Sequence, residues 1–209
     1  MVGFAFSPNL KANLFTSMRL ASSLEANIFF VHVGKKTQAK EKTFEEILKD
    51  SPTRPKLTKV LWEEGEPVPT ILKLCDKNRI DLLLLGALQR ENVLKFYVGS
   101  IARKITRKAP CSVLLLIKPS IEKVPSKHVV VNAINESNTE KTILSAFEFS
   151  FLMNIPNITL VGEISQSRVN ITADDDESLK KITKIKEDLK KEEKDRYDQI
   201  LLKIPDALK

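Results

Sequence analysis

The residues best suited to chemistry in this sequence follow a strongly apolar run and lead into a helix start. Gly86 ends the run, Gln89 stands three positions later, and nine residues beginning with Arg90 lead to Gly99 and Ser100. A glycine after a strand lets the backbone approach a phosphate, and a helix start offers N–H groups at the positive end of a dipole. The Arg90 guanidinium and the Ser100 hydroxyl can add hydrogen bonds. The spacing predicts a phosphate cradle, in which the Gln89 side chain takes up room but offers an amide donor.

Other kinds of reactive site have little support in the residue types. Cys75 and Cys111 form no C-x-x-C pair, and we interpret both as packed, reduced thiols. His32 and His128 have no cysteine or carboxylate partners at metal-ligand spacing. Neither a G-x-S-x-G elbow nor a Walker loop occurs in the sequence. We therefore expect no catalytic residues, no metal site and no enzymatic activity.

The elements that must position the cradle are strands alternating with helices. Ser7 followed by Pro8 is typical of a helix start, with a hydroxyl for the N-cap and a proline where no N–H is needed. Strands are predicted at 2–6, 28–33, 59–62, 80–85 and 113–117, and helices at about 7–26, 44–48, 69–78 and 99–108. This alternation predicts right-handed β-α-β units in a Rossmann-like, doubly wound, mainly parallel α/β sheet.

The beginning of the sequence recurs after residue 127. Ser7 aligns with Ser137 and Ile28 with Ile158 without a gap, which predicts an internal repeat. Ser137 also has capping-box spacing to Glu140. The second β-α-β unit is predicted to consist of a strand at 129–134, a helix at 139–153 and a strand at 158–163.

The predicted organisation is a tandem with one complete module and one partial module. The complete module covers residues 1–120, a linker covers 121–127, and the partial module covers 128–209. The partial module ends in a long amphipathic helix that begins at Asp174, because acidic residues there suit a helix N-terminus. Beyond Tyr197 the pattern fits either a continued helix or a strand. The apolar stripe of this helix is predicted to consist of Leu179, Ile182, Ile185 and Leu189.

Composition is that of an ordinary globular protein. The 209 residues are 42% hydrophobic and 29% charged, with a formal net charge of +7. No run of about 18 apolar residues and no signal-peptide pattern occurs, so we expect a cytoplasmic protein that does not insert into a membrane. The sequence holds one Trp and two Tyr, and none lies within a basic stretch, so no nucleic-acid partner is expected.

The order and spacing of several short motifs resemble the universal stress protein family. The resemblance covers residues 1–118 and the first β-α-β unit of the repeat. Its motifs are Phe6-Ser7-Pro8-Asn9, Val31-His32-Val33, Gly65-Glu66-Pro67, Asp81-Leu82-Leu83-Leu84-Leu85-Gly86 and Gly99-Ser100 through Ala109-Pro110-Cys111.

The resemblance implies a nucleotide site, from which this sequence departs twice. Nucleotide-binding members look like Gly-x-x-Gly, nine residues, then Gly-Ser or Gly-Thr, whereas Gln89 replaces the second glycine here. Members that hold ATP or AMP often carry an aspartate after strand one, where this sequence has Ala5, and Asn135 in the repeat. Two lost contacts of about 1 kcal/mol each would weaken binding tens-fold.

Two functions of different classes follow from these observations. The first is a stress-response regulatory or adaptor protein with a degenerate nucleotide pocket, which acts by oligomerisation and by binding an unidentified protein partner. The resemblance implies a homodimer formed through the edge strand Val113–Ile117. The alternative is a switch in which ATP or AMP orders the Gly86–Ser100 loop. If both glycines are only turn and helix-start residues of the fold, no cofactor binds.

Overall fold

The chain forms two units, Met1–Val124 and Pro125–Lys209. The computed structural model describes residues 1–55, 57–87, 99–163 and 176–208. No helix within these ranges is both long enough and apolar enough to cross a membrane.

The first unit is a five-stranded parallel sheet with helices between its strands. Its strand order is β3-β2-β1-β4-β5. This topology confirms the Rossmann-like, doubly wound α/β fold. In chain order the elements are β1 (Val2–Gly3), α1 (Leu10–Ser23), β2 (Ile28–Val33), α2 (Gln38–Asp50), β3 (Thr58–Glu63), α3 (Pro67–Lys77), β4 (Leu82–Gly86), α4 (Ser100–Thr106) and β5 (Ser112–Leu116).

Apolar side chains fill both faces of this sheet, which explains why its central strands are apolar nearly throughout. Successive residues of a strand face opposite ways, so Phe30 and Val31 of β2 enter different cores. Phe30 packs against Phe44 of α2, with ring centroids 5.4 Å apart. Val31 belongs to a second cluster with Leu83 of β4 and Ile105 of α4.

Two helices begin at positions other than those predicted. Ser7 does not cap α1, because its N–H is held by the Ala5 carbonyl at 2.9 Å and its own carbonyl accepts from Leu10 at 3.0 Å. A turn therefore precedes the helix, and Asn9 is its N-cap residue. Helix α2 is longer than 44–48, because the Thr37 side chain caps it by accepting from the N–H of Lys40.

The start of the predicted linker is attached to α1. The Arg19 guanidinium donates to the carbonyls of Ser120 and Ile121, the latter at 2.7 Å. The Thr16 hydroxyl donates to the Ser120 carbonyl at 3.1 Å. Side chains on α1 therefore fix the chain after β5, and the first unit extends to Val124.

The second unit contains a strand, a helix and a parallel strand, followed by a long helix. These elements are β6 (Val129–Asn132), α5 (Thr139–Met153), β7 (Ile158–Val161), α6 (Asp176–Leu202) and a 3-10 turn at Asp206–Leu208. Tyr197 lies within α6, so the helical alternative for this segment is correct. Ile143, Ile200 and Val131 meet in its core. The duplication itself stays a prediction.

The predicted capping box of the second unit does not form. Asn138, not Ser137, is the N-cap residue of α5, and its side chain makes no capping bond. Glu140 pairs instead with Lys203, whose Nζ lies 2.8 and 2.9 Å from the two carboxylate oxygens. The predicted stripe on α6 is only partly covered, since Leu179 is 51% exposed whereas Leu189 is buried.

Candidate nucleotide site

The strand order places a crevice between β1 and β4. In open α/β sheets, ligands bind outside the carboxyl ends of the strands where the strand order reverses. In this sheet the chain continues from β1 towards β2 on one side, and β4 lies on the other. The segments after β1 and after β4 therefore border the crevice.

Three of the five predicted cradle residues lie in the described part of the chain. Gly86 is the last residue of β4, Gly99 is the N-cap residue of α4, and Ser100 is the first residue of that helix. Gln89 and Arg90 lie outside the described residues. Both glycines thus stand at the carboxyl edge of the sheet, as the spacing predicts.

Gly86 lies in close contact with Asn13 of α1. A Cβ atom added to Gly86 would lie 3.0 Å from both the Nδ2 and the Oδ1 of Asn13. Nδ2 donates to the Asn9 carbonyl at 3.0 Å. Oδ1 is buried and has no hydrogen-bond partner among the residues described. An acceptor atom without a partner therefore borders a place where only glycine leaves room, which fits a ligand with a donor group.

The start of α4 presents backbone rather than side chains. Gly99 is buried, with φ −54° and ψ 152°, and its carbonyl accepts from the N–H of Arg103 at 3.0 Å. No side-chain cap is formed at this end, and Ser100 is exposed. The first-turn N–H groups have no helical partner by geometry, so they suit an anion.

The other border of the crevice is aromatic. Ala5 follows β1 and is exposed, so the position that the resemblance associates with a carboxylate carries only a methyl group. Phe6 stacks on Trp62 with ring centroids 6.1 Å apart and planes inclined by 19°. Phe6 also meets the edge of His32 at 5.0 Å. Rings from the ends of β1, β2 and β3 therefore occupy this part of the carboxyl edge.

His32 is buried, and both of its ring nitrogens are engaged. Nδ1 lies 3.2 Å from the Phe4 carbonyl and therefore carries the proton that it donates. Nε2 then accepts from the Lys40 ammonium at 3.4 Å. Burial lowers the pKa of His32, and the charge of Lys40 lowers it further, against an opposing contribution from the Phe4 carbonyl. The ring is therefore a neutral structural group rather than a free acid or base.

Lysine side chains cover the aromatic group from outside. The Nζ of Lys40 lies 5.5 Å from the ring centre of Phe6, and that of Lys36 lies 5.8 Å from Trp62. Such cation–π contacts contribute about 0.5–1 kcal/mol at exposed sites. We call Phe6, His32, Trp62, Lys36 and Lys40 the aromatic edge group.

A cavity of about 410 Å³ lies at the opposite edge of the sheet. Its lining includes Val2, Ser17, Ile28 and Leu82, which are near the amino ends of their strands or on the helix that covers them. It is remote in the fold from Gly86 and Gly99. Neither this cavity nor any other part of the described chain holds three His, Cys, Asp or Glu side chains placed to bind a metal ion.

Sequence reasoning missed Asn13 and the aromatic edge group. Asn13 looked like one polar residue in an amphipathic helix, and only the pairing of β1 with β4 brings it to Gly86. Phe6 and Trp62 looked like separate apolar positions. Their proximity could have been inferred from the sequence, because Phe6 follows one predicted strand and Trp62 ends another. The carboxyl ends of parallel strands lie at the same edge of a sheet.

Comparison with known proteins gives one consistent result. A family model described as the universal stress protein family matches residues 31–116. A universal stress protein of Methanocaldococcus jannaschii is 30% identical over 59 residues, which make up 28% of this chain and 35% of that protein. The matched part thus spans about a third of that relative.

Solved structures similar to this chain carry the same family name. A universal stress protein in complex with cAMP is 17% identical, with a TM-score of 0.46, over 56% of this chain and 93% of that chain. A universal stress protein from Lactobacillus plantarum is 21% identical, with a TM-score of 0.42, over 56% and 96%. One from Archaeoglobus fulgidus is 16% identical, with a TM-score of 0.43, over 55% and 94%.

Proposed function

We infer from the family-model match over residues 31–116 that the first unit belongs to the universal stress protein family, and on that premise we propose that the chain is a regulatory adaptor of the cytoplasm. In this proposal it binds protein partners and catalyses no reaction. The observation that carries the proposal is the aromatic edge group, which takes up the side of the crevice where a nucleoside needs polar anchors. Ala5 offers no such anchor, and both ring nitrogens of His32 are engaged within the protein.

The free-energy cost of opening the aromatic side of the crevice supports a pocket that binds no nucleotide. A ligand that entered between Phe6 and His32 would have to separate their rings, which lie 5.0 Å apart, and disturb the Phe6–Trp62 stack. Aromatic pairs contribute about 0.5–1.5 kcal/mol each beyond their buried area. Two such losses would lower the affinity for a nucleotide further than the changes at Ala5 and Gln89 alone.

An open sheet edge supports partner binding. β5 is the last strand of its sheet, and no described strand pairs with its outer side. Its apolar residues Val113–Leu116 are only half-buried, and Ile117 is 44% exposed. An unpaired apolar edge is a template for strand pairing with another chain. We propose that a second copy of the protein pairs here to form a homodimer, which then presents a surface to other proteins.

A combined measurement tests both halves of this proposal. Calorimetric titration with ATP and AMP, with and without Mg²⁺, is paired with the solution mass of the full chain by light scattering. The adaptor proposal expects no saturable heat at millimolar nucleotide and a dimer mass at micromolar protein. A monomer at all concentrations that also binds nucleotide would refute it.

The retained half of the cradle favours the alternative, an ATP- or AMP-dependent switch. Gly86 leaves room beside the Oδ1 of Asn13, which has no hydrogen-bond partner among the described residues and suits a donor group of a ligand. Gly99 opens a helix whose first N–H groups suit a phosphate. If nucleotide binds at this site, Gly99→Asp must abolish binding by charge repulsion. Ser126→Asp adds the same charge at an exposed position of the second unit and should leave binding unchanged.

A further inference from the structure

The two cysteines of the chain lie in one apolar region of the first unit, although they are far apart in sequence. Cys75 belongs to α3 and is 1% exposed, whereas Cys111 directly precedes β5 and is half-buried. Both are free thiols; burial raises the pKa of Cys75, and Cys111 is among the neighbours whose charge raises it further. Cys75 belongs to the apolar cluster that includes Leu83 and Ile105, and Cys111 packs against that cluster.

The topology of the sheet explains why the two cysteines lie in the same region. The chain turns from α3 directly into β4, and the N–H of Ile80 donates to the Cys75 carbonyl at 2.9 Å. β5 starts beside the start of β4, where the N–H of Ser112 donates to the Asp81 carbonyl at 3.2 Å. The end of α3 and the residue before β5 are therefore held at the same place by backbone bonds.

We propose that Cys75 and Cys111 form a dithiol pair that a hydroperoxide converts to a disulfide. The thiolate of Cys111 attacks the peroxide, the O–O bond breaks, and Cys111 becomes a sulfenic acid. With hydrogen peroxide the leaving hydroxide takes a proton and departs as water. The Cys75 thiol then attacks the Cys111 sulfur, the S–O bond breaks, and its proton leaves with the hydroxyl group as a second water.

The order of the two steps follows from burial. Cys75 is shielded from solvent, so a peroxide in solution reaches Cys111 first. Burial also raises the pKa of Cys75 to about 12, and the neighbouring Cys111 acts in the same direction. Cys75 is therefore a poor first nucleophile, but its position beside Cys111 allows it to resolve the sulfenic acid.

Other sulfur chemistry at this place is limited. The Sδ of Met1 lies 4.0 Å from the Sγ of Cys75 and accepts its weak hydrogen bond. A thioether cannot form a disulfide, so Cys111 is the partner that matters for oxidation.

The bond would tie together the chain on both sides of the candidate cradle. Residues 75 and 111 enclose β4, the Gly86–Ser100 segment and α4. The proposal itself does not rest on nucleotide binding, because it concerns only the two thiols and their surroundings.

Thiol counting and mass spectrometry test the proposal. The reduced full chain is treated with excess hydrogen peroxide, denatured under acid, and titrated with Ellman's reagent. We expect both thiols to disappear, the intact mass to fall by two hydrogens, and a peptide to join Cys75 to Cys111. Dithiothreitol should restore both thiols.

Single substitutions provide the controls. In Cys75→Ser, the sulfenic acid at Cys111 should persist and react with dimedone. In Cys111→Ser, Cys75 should keep its thiol under the same peroxide exposure. Retention of two free thiols in the natural chain would overturn the proposal, and so would a disulfide formed only between Cys111 residues of two chains.

Discussion

Asn13 of α1 and Gly86 of β4 lie so close that a methyl group on the glycine would come within 3.0 Å of both amide atoms of the asparagine. A side chain at position 86 would require the Asn13 amide to shift by a few tenths of an ångström. The Oδ1 of Asn13 is also a buried acceptor with no partner among the described residues. The pair therefore marks the one described place in the crevice where space and an unused polar atom coincide.

Gly86→Ala tests the tightness of this contact. The added methyl must displace the Asn13 amide, and we expect a loss of about 1–3 kcal/mol in the free energy of unfolding, measured in urea. In the background Asn13→Ala, the same substitution should cost much less, because the obstructing amide is gone. Costs that simply add in the double variant would contradict the contact.

His32 predicts a dependence of stability on pH. Its pKa in the folded protein lies below the ordinary value of 6.5, so the unfolded chain binds the proton more tightly. The contribution is complete above about pH 6.5 and is lost as the pH falls towards the lowered pKa of the folded state. Urea unfolding from pH 7.5 to 5 should therefore show falling stability.

The two histidines of the chain provide a matched comparison for this slope. His32→Phe keeps an aromatic ring beside Phe6 but has no titrating group, so the part of the slope due to His32 should vanish. His128→Gln changes the other histidine, which is exposed, and serves as the control for loss of this residue type. An unchanged slope in His32→Phe would show that other groups cause it.

The sequence was sufficient to predict the fold because its information was local. The alternation of apolar runs with helices specified a parallel sheet, and the spacing from Gly86 to Gly99 specified a strand end and a helix start. Helix starts were less predictable. Ser7 has the right type for an N-cap, but a tight turn to the Ala5 carbonyl takes its N–H and shifts the helix start to Leu10.

Features that depend on pairing between distant segments could not be predicted. No local pattern indicates that Arg19 holds the chain after β5, or that Cys111 packs against the apolar cluster that contains Cys75. Both arrangements follow from the strand order, which determines which segments of the chain are neighbours in the folded protein. The aromatic edge group could be predicted in part, since the positions of the strand ends were predictable but the contact of Phe6 with Trp62 was not.

Arg19 should stabilise the first unit by holding the chain after β5. Arg19→Ala removes donors from the carbonyls of Ser120 and Ile121, and we expect a loss of about 1–3 kcal/mol in the free energy of unfolding. Lys42→Ala removes a positive charge from an exposed position of α2 and should change stability little. Proteolysis should also cut more readily near Ile121 in Arg19→Ala. Equal stability of the two variants would contradict the role of Arg19.

Gly162 and Tyr197 should determine the stability of the second unit. A Cβ atom at Gly162 would overlap the Tyr197 hydroxyl, which itself donates to the Ala133 carbonyl at 3.3 Å. Gly162→Ala should therefore displace the phenol and cost about 1–3 kcal/mol in unfolding free energy. Adding Tyr197→Phe should recover part of that cost. No recovery in the double variant would mean that the backbone, not the hydroxyl, resists the change.

The open edge at β5 predicts that a charge beside it disrupts the proposed homodimer. Ile117 directly follows β5 and is 44% exposed, whereas Val124, 71% exposed, lies further along the same unit. Ile117→Lys replaces an apolar side chain beside β5 with a charge that loses water if two β5 strands pair, and we expect the dimer dissociation constant to rise at least about tenfold, or about 1.4 kcal/mol. Val124→Lys adds the same charge away from the strand and should leave the constant unchanged.

Sedimentation velocity over a range of protein concentrations measures both variants, and urea unfolding checks that each remains folded. If both variants dimerise as the natural chain does, the copies pair through another surface. If Val124→Lys alone dissociates, the segment after β5 is the interface.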